Sequence, residues 1–261
     1  MINNRRFIHN TLQTYKEDNA ILDKSLGFNY KSVKAPSQTN KNLDGWETER
    51  ANWYTLYTGL FLIDTFKLNK KHAIDVGGFK GFYSSVYARH FNQVDVFEPN
   101  PYAHSICKLN FKRQGLINTT IHDKGCWSRK ESIDFYCKFY DQEKTLITGQ
   151  STSNENLSQE ENLITEKIKI DMSPIDAYNF QPSFIKIDAE GSEVEILKGS
   201  IKTLKKHKPF LQIENDTVLE NNPLIDNLLF ELGYKKIDLN SFNHIFPNNW
   251  DMTDSYFLHD G

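Results

Sequence analysis

Long apolar runs are absent from this chain, and so is any strong bias of charge. No stretch approaches the roughly 18 consecutive apolar residues that a membrane-spanning helix requires, so no membrane partner is expected. The 31 basic residues nearly balance the 34 acidic ones, leaving a formal charge of −3. That balance supplies no attraction to a polyanion, and nucleic acid is excluded as the expected main partner. Cysteine is scarce: Cys107, Cys126 and Cys137 form an odd set without a CxxC pair. Such usage speaks against a disulfide scaffold or a zinc site and for free thiols in a reducing compartment. Met1 to Asn10 lack the apolar run of a signal peptide. A soluble, cytoplasmic protein is the expectation. The eight histidines are scattered, with no paired metal-binding spacing, and no metal is expected.

What is present suffices for one large α/β domain with an appendage. The chain has 261 residues, of which 38% are hydrophobic and 13% aromatic, enough to build a core. Residues 1–45 are polar and weakly patterned and are expected to form an N-terminal helical extension; residues 46–261 form the domain proper. Asp44 stands where it would cap a helix in which Trp46, Trp53, Tyr54, Tyr57, Leu60, Phe61 and Ile63 fall near helical spacing. Those aromatics either cover a sheet or serve as a lid over substrate.

From His72 onward the chain alternates strand and helix. The strands expected are His72–Val76, Gln93–Phe97, Ile117–Ile121, Phe184–Asp188 and Phe210–Glu214. Helices are expected at Phe82–His90, Tyr102–Gln114, Ser192–Lys205 and Leu224–Leu232. This alternation is the signature of a doubly wound, mostly parallel sheet covered on both faces. Ile133–Phe139 reads as an added strand, Lys167–Asp171 as extended, and Pro174–Tyr178 as a short helix. Tyr234–Leu239 and Ser255–His259 are expected to close the sheet as an antiparallel pair. The polar segment between about Asp141 and Asn162 is expected to be a long loop, either a lid or a surface insertion.

Chemistry concentrates at strand ends. Asp75-Val76-Gly77-Gly78-Phe79-Lys80-Gly81 is a strand that breaks into a glycine-rich turn before a helix, a geometry that lets backbone N–H groups approach a ligand. Glu98 ends the next strand, 17 residues after Gly81, where a carboxylate can accept both hydroxyls of a ribose. The phosphate-loop pattern GxxxxGK[ST] is missing, and the glycines do not fit the GxGxxG register. Asp188, Glu190 and Glu214 put three carboxylates at the ends of two further strands. They are candidates for proton abstraction from an acceptor, or for its orientation. The plain structural alternative is that Asp188 caps the helix that follows, with Glu190 and Glu193 complementing its dipole. Three acids also raise the question of a hard cation, but their spacing is not diagnostic.

Two of these segments resemble a known family. Asp75 to Gly81 resembles the first motif of class I methyltransferases. Phe184-Ile185-Lys186-Ile187-Asp188-Ala189-Glu190-Gly191-Ser192-Glu193, followed by Ile196-Leu197-Lys198-Gly199, resembles the hallmark segment of the FkbM methyltransferases. The resemblance runs from about Glu47 to the final strands. It implies a seven-stranded, Rossmann-like methyltransferase sheet and S-adenosyl-L-methionine as cofactor. On that mapping Gly77, Gly78 and Gly81 cradle the methionine moiety, with Asp75 positioning the turn and Phe82 nearby. Glu98 holds the ribose, Pro99 and Asn100 line the adenosine side, and Asp123, Lys124 and Gly125 form the adenine-contacting loop. Asp188 lies beside the cofactor as well as among the catalytic candidates. The family commonly has Ala-Asn where this chain has Gly78-Phe79, so that Asn contact is lost. The acceptor class implied is a hydroxyl on a sugar, glycan or natural-product scaffold. An amine or protein side chain, or a non-catalytic cofactor-binding role, are the alternatives.

Overall fold

A computed structural model describes residues 46–139, 153, 163–214, 222–242 and 254–261. The expected extension over 1–45, Asp44 as a cap and most of the 141–162 segment lie outside the described residues, as do the side chains of Trp46, Trp53, Tyr54 and Tyr57. The first half contains α1 (Trp46–Thr65), β1 (His72–Val76), α2 (Phe82–His90), β2 (Gln93–Phe97), α3 (Pro101–Gln114), β3 (Thr119–His122), β4 (Gly125–Cys126) and β5 (Glu131–Phe139). The second contains β6 (Ile164–Ser173), β7 (Phe184–Ile187), α4 (Glu193–Lys198), α5 (Ile201–His207), β8 (Phe210–Glu214), α6 (Asn222–Glu231), β9 (Tyr234–Lys236) and β10 (Asp254–His259). Single 3-10 turns lie at Ile175–Ala177 and Leu239–Phe242.

The main sheet has seven strands in the order β3-β2-β1-β7-β8-β10-β9. From β3 to β8 every pairing is parallel, and β10 runs antiparallel to both β8 and β9. This is the doubly wound, mostly parallel sheet expected from the alternation. β1, β7 and β8 are apolar along almost their whole length because helices cover both faces. On one face Leu56, Leu60, Phe61 and Ile63 of α1 and Val86 and Tyr87 of α2 pack on Ala73, Val94, Phe184 and Phe210. Leu60, Phe61 and Ile63 therefore cover the sheet rather than a substrate. On the other face Ile196, Leu197, Leu204, Ile225 and Leu229 pack on Ile74, Ile185, Ile187 and Leu211. Strand order reverses between β1 and β7, so the crevice for a ligand opens at the carboxyl ends of those two strands.

A second sheet, β4-β6-β5, joins the two extended segments read separately in the sequence. β5 and β6 pair antiparallel from Glu131↔Met172 to Phe139↔Ile164. Phe135, Cys137, Phe139, Ile170 and Met172 form its core with Ala103 of α3.

Two expectations are corrected. The third strand starts at Thr119 rather than Ile117, which is 98% exposed. Gly115 ends α3 in the left-handed conformation, and Asn118 then donates to the carbonyls of Ala88 and Phe91, so pairing begins only afterwards. The single helix expected from Ser192 to Lys205 is two helices, α4 and α5. The break at Gly199-Ser200 has a steric cause: a Cβ on Gly199 would lie 1.9 Å from the Trp127 carbonyl oxygen. α5 then receives a separate start, because the Asp176 carboxylate accepts from the N–H groups of Lys202 and Thr203.

Gly199 thus locks the second sheet to the α4–α5 corner by contact of two backbones. Gly199→Ala is expected to destabilise the fold by about 1–3 kcal/mol through overpacking, read as a lower urea midpoint at unchanged slope.

Candidate active site

The glycine turn owes its shape to what lies behind it. Gly77 has φ +84°, and both Gly77 and Gly78 donate their N–H groups to the Phe97 carbonyl at the end of β2. A Cβ on Gly77 would fall 1.7 Å from the Asp188 carbonyl oxygen, and one on Gly78 would fall 2.2 Å from Val96 Cγ1. No other residue permits so close an approach of β1 to the end of β7. Gly81, at φ +85°, heads α2 without a side-chain cap.

Glu98 reaches this turn directly. Its Oε2 accepts from the Phe79 N–H at 2.7 Å and its Oε1 from the Asn100 N–H at 2.8 Å. Burial pushes its carboxyl up to about 7, against the two backbone donors that favour the charged form. Each oxygen keeps one further lone pair for a hydroxyl. Phe79 itself holds a left-handed φ of 46°.

The remaining cofactor candidates fall into three groups. Asp75 is buried at the base of the turn and accepts from the Ser84 hydroxyl, while Phe82 lies in the apolar core under α1. Asn100 spends its side chain capping α3, accepting from Tyr102 and Ala103. Pro99 and Gly125 are neighbours, since a Cβ on Gly125 would meet Pro99 Cγ at 3.6 Å; Asp123 and Lys124 beside them are exposed. The ends of β1, β2 and β3 thus share one edge.

The hallmark turn after β7 is a strained unit with its own clamp. Glu190 has φ +51° and Gly191 φ +95°, a conformation costly for a residue with a side chain. Glu193, 2% exposed, holds it by accepting from the N–H groups of Ala189 and Gly191. Burial raises the Glu193 carboxyl, with those backbone donors working against the rise. The turn projects Glu190 toward Asp188 and toward Glu214 at the end of β8. One carboxylate oxygen from each of the three lies within 4.8 Å of the others. The sequence named these three acids, and the parallel pairing of β7 with β8 is what brings them together.

Asp188 does not bond the start of α4: its carboxylate is engaged by Lys186 Nζ at 2.7 Å. Glu214 bears the strain of the cluster. The Asp188 charge, burial and Glu190 together push its carboxyl far above the ordinary carboxylate range.

Sequence reasoning assigned no role to Lys186, Gln212 or Asp254, and it read Glu193 only as a complement to the helix dipole. The signal for Lys186 and Gln212 was a polar residue inside an otherwise apolar strand, Phe-Ile-Lys-Ile and Phe-Leu-Gln-Ile. Asp75, Lys186 and Gln212 are register partners across β1, β7 and β8. Gln212 accepts from the Tyr87 hydroxyl and donates to Asp254, continuing the buried polar row.

Residues 75–236 match the family described as the methyltransferase FkbM domain. Among solved structures, the chain is similar to methyltransferase FkbM from Methylobacillus flagellatus KT at 20% identity, with 72% of this chain and 43% of that one covered and a TM-score of 0.44. It is similar to precorrin-6y C5,15-methyltransferase from Geobacter metallireducens GS-15 at 15% identity, with 84% and 92% covered and a TM-score of 0.42. The ribosomal protein L11 methylase from Lactobacillus delbrueckii subsp. bulgaricus gives 9% identity, 80% and 77% coverage and a TM-score of 0.44. The chain spans less than half the length of the Methylobacillus protein. Likenesses of this size carry no detail of the site. Among curated proteins no sequence relative matches.

The charge state of Glu214 has a consequence for stability. Between its ordinary value of 4.5 and about 11 the folded chain keeps a proton that the unfolded chain releases. The folded state binds more protons there, so stability falls as pH rises through that window. Glu214→Gln, neutral in both states, is expected to gain on the wild type progressively from about pH 5 to about pH 9 in parallel urea titrations. A difference independent of pH would contradict a protonated Glu214.

Proposed function

The chain belongs to the FkbM methyltransferase family, and from that premise we propose that it methylates a hydroxyl group of a sugar, glycan or natural-product acceptor, with S-adenosyl-L-methionine as donor. What supports the reading is the meeting of the Gly77–Gly81 turn, Glu98 and three carboxylates along one strand edge, at the point where strand order reverses. The cradle suits an aminoacyl nucleoside: Gly77 leaves no side chain between β1 and β7, so the backbone of the turn can lie against a ligand. Glu98 has lone pairs to spare for the ribose. Pro99, Asn100 and the Asp123–Gly125 loop flank the adenosine side.

When bound, the cofactor supplies a methyl group on a sulfonium, which departs as a neutral thioether. The chain's own contribution is alignment and the removal of one proton. With the donor bound, the carboxylate of Asp188 or Glu190 would take the proton of the acceptor hydroxyl whose oxygen receives the methyl group. Glu214, already protonated, orients the acceptor by donating a hydrogen bond. No helix among the described residues is long and apolar enough to cross a membrane, and all three cysteines are free and buried. We place the reaction in the cytoplasm, on a small-molecule or glycan partner rather than nucleic acid.

Isothermal calorimetry with S-adenosylhomocysteine is expected to show one site, weakened about ten- to hundredfold by Glu98→Gln. Incubation with tritium-labelled donor and a panel of glycans is expected to leave label in a hydroxyl ether, with Asp188→Ala slowing transfer by about 10²–10⁴-fold. Label on nitrogen would replace the hydroxyl acceptor with an amine, and tight binding without transfer to any acceptor would leave a cofactor-binding module.

A further inference from the structure

A lysine buried inside a sheet is expensive unless its charge is answered at close range. Lys186 is 1% exposed, within β7. Its ammonium donates to Asp188 Oδ2 at 2.7 Å and lies 3.9 Å from Asp75 Oδ1. The Tyr83 ring of α2 covers it at 4.3 Å from the ring centroid. Asp75 sits below the glycine turn, Asp188 beside the acid cluster. One cation therefore ties the base of the cofactor turn to the candidate reaction edge.

We propose that Lys186 is the positioning residue of this site: its ammonium holds one oxygen of Asp188 and thereby decides that Asp188 is the charged member, and Glu214 the protonated member, of the carboxylate pair at the ends of β7 and β8. The inference deepens the methyl-transfer reading and rests on it for its chemical meaning. Two neighbouring carboxylates in a buried edge share one proton, and which of them holds it is set by the nearest fixed charge. Lys186 touches Asp188 and not Glu214, so the proton resides on Glu214. An acceptor hydroxyl then meets one anion fixed in orientation and one neutral donor, rather than two interchangeable groups.

Every charged or titratable group around Lys186 is consistent with that role. Asp75 faces it from β1, Tyr83 from α2, Asp188 from the end of β7 and Asp254 from β10, while Glu190 and Glu214 stand behind Asp188 and Tyr87 and Tyr256 behind Asp254. Burial works against the Lys186 charge, but Asp188, Asp75 and Asp254 outweigh it and hold the ammonium well above the ordinary lysine range. Asp75 has its Ser84 bond on Oδ2 and no hydrogen-bond partner on Oδ1, which leaves that oxygen to act on Lys186 through space. The tyrosines are raised by burial and stay neutral. Among the described residues, Lys186 is the cation within ion-pair distance of Asp188.

The test is carbon-13 carboxyl NMR of the intact chain, with aspartate and glutamate labelled and the two resonances assigned by Asp188→Asn and Glu214→Gln. In the wild type at about pH 7, Asp188 is expected to show a carboxylate shift and Glu214 a carboxylic-acid shift. In Lys186→Met the ratio of proton occupancy, Glu214 over Asp188, is expected to fall about tenfold or more, and Lys186→Arg is expected to restore the wild-type pattern. A purely structural lysine would leave the proton where it is in a folded Lys186→Met protein. That result, or a wild-type spectrum with the proton on Asp188 or on neither acid, overturns the proposal. The wild-type spectrum decides it if Lys186→Met does not fold. Calorimetry with S-adenosylhomocysteine on the same samples separates the two claims: no binding to the wild type would defeat the methyl-transfer reading, whereas the spectra alone judge Lys186.

Discussion

The end of β1 and the end of β7 touch backbone to backbone, with room at Gly77 for a hydrogen and nothing larger. This contact brings Asp75 and Asp188 to either side of the Lys186 ammonium and sets the glycine turn beside the acid cluster. Phe97 fixes the other side of the turn through its carbonyl, and Glu98 follows one residue later with the Phe79 N–H in its grasp. The geometry of every candidate group at the carboxyl edge descends from that approach of two strands at the reversal of strand order.

Charge is arranged around this contact with unusual economy. Asp75, Asp188 and Asp254 act on one buried cation, and Glu190 and Glu214 gather at Asp188. Glu193 is held by backbone donors in its own turn, and the carboxyl of Glu214 is pushed upward by Asp188 and burial. Asp188 keeps Lys186. The acids that remain reactive are those at the rim, above a floor of Tyr87, Gln212 and Tyr256 linked to the α1 and α2 layer; Tyr256 donates to the Thr55 carbonyl at 2.7 Å. Asp75, Lys186 and Gln212 thus form a polar row at the centre of an otherwise apolar sheet face.

A different device holds the β1, β2 and β3 side of the sheet. Asp95 accepts from His72 at 2.8 Å and from His122 at 2.7 Å, stitching β1, β2 and β3 together. The two histidine bonds outweigh the effect of burial and bring the Asp95 carboxyl down to about 2. His72 and His122 thus share one structural task, and His122 also stacks on Phe97 at 4.4 Å.

The sequence by itself determined the strands of the parallel sheet, because a helix-covered strand must be apolar throughout, and it located the glycine turn, Glu98 and the three acids at strand ends. It also carried the family, through a contiguous hallmark segment whose Glu193 clamp and Gly191 conformation are local needs of a single turn. Only the tertiary structure decided which acids meet, since β7 and β8 become neighbours through pairing and not through sequence distance. The second sheet was illegible for the same reason: β5 and β6 lie more than twenty residues apart and find each other by register. The helix break at Gly199 depends on a carbonyl of Trp127, seventy-two positions earlier. Lys186 shows the division most sharply: its oddity as a cation in an apolar strand was visible in the sequence, but its partners were fixed by the packing of β1, β7 and α2 around it, because electrostatic meaning belongs to distances and not to order along the chain.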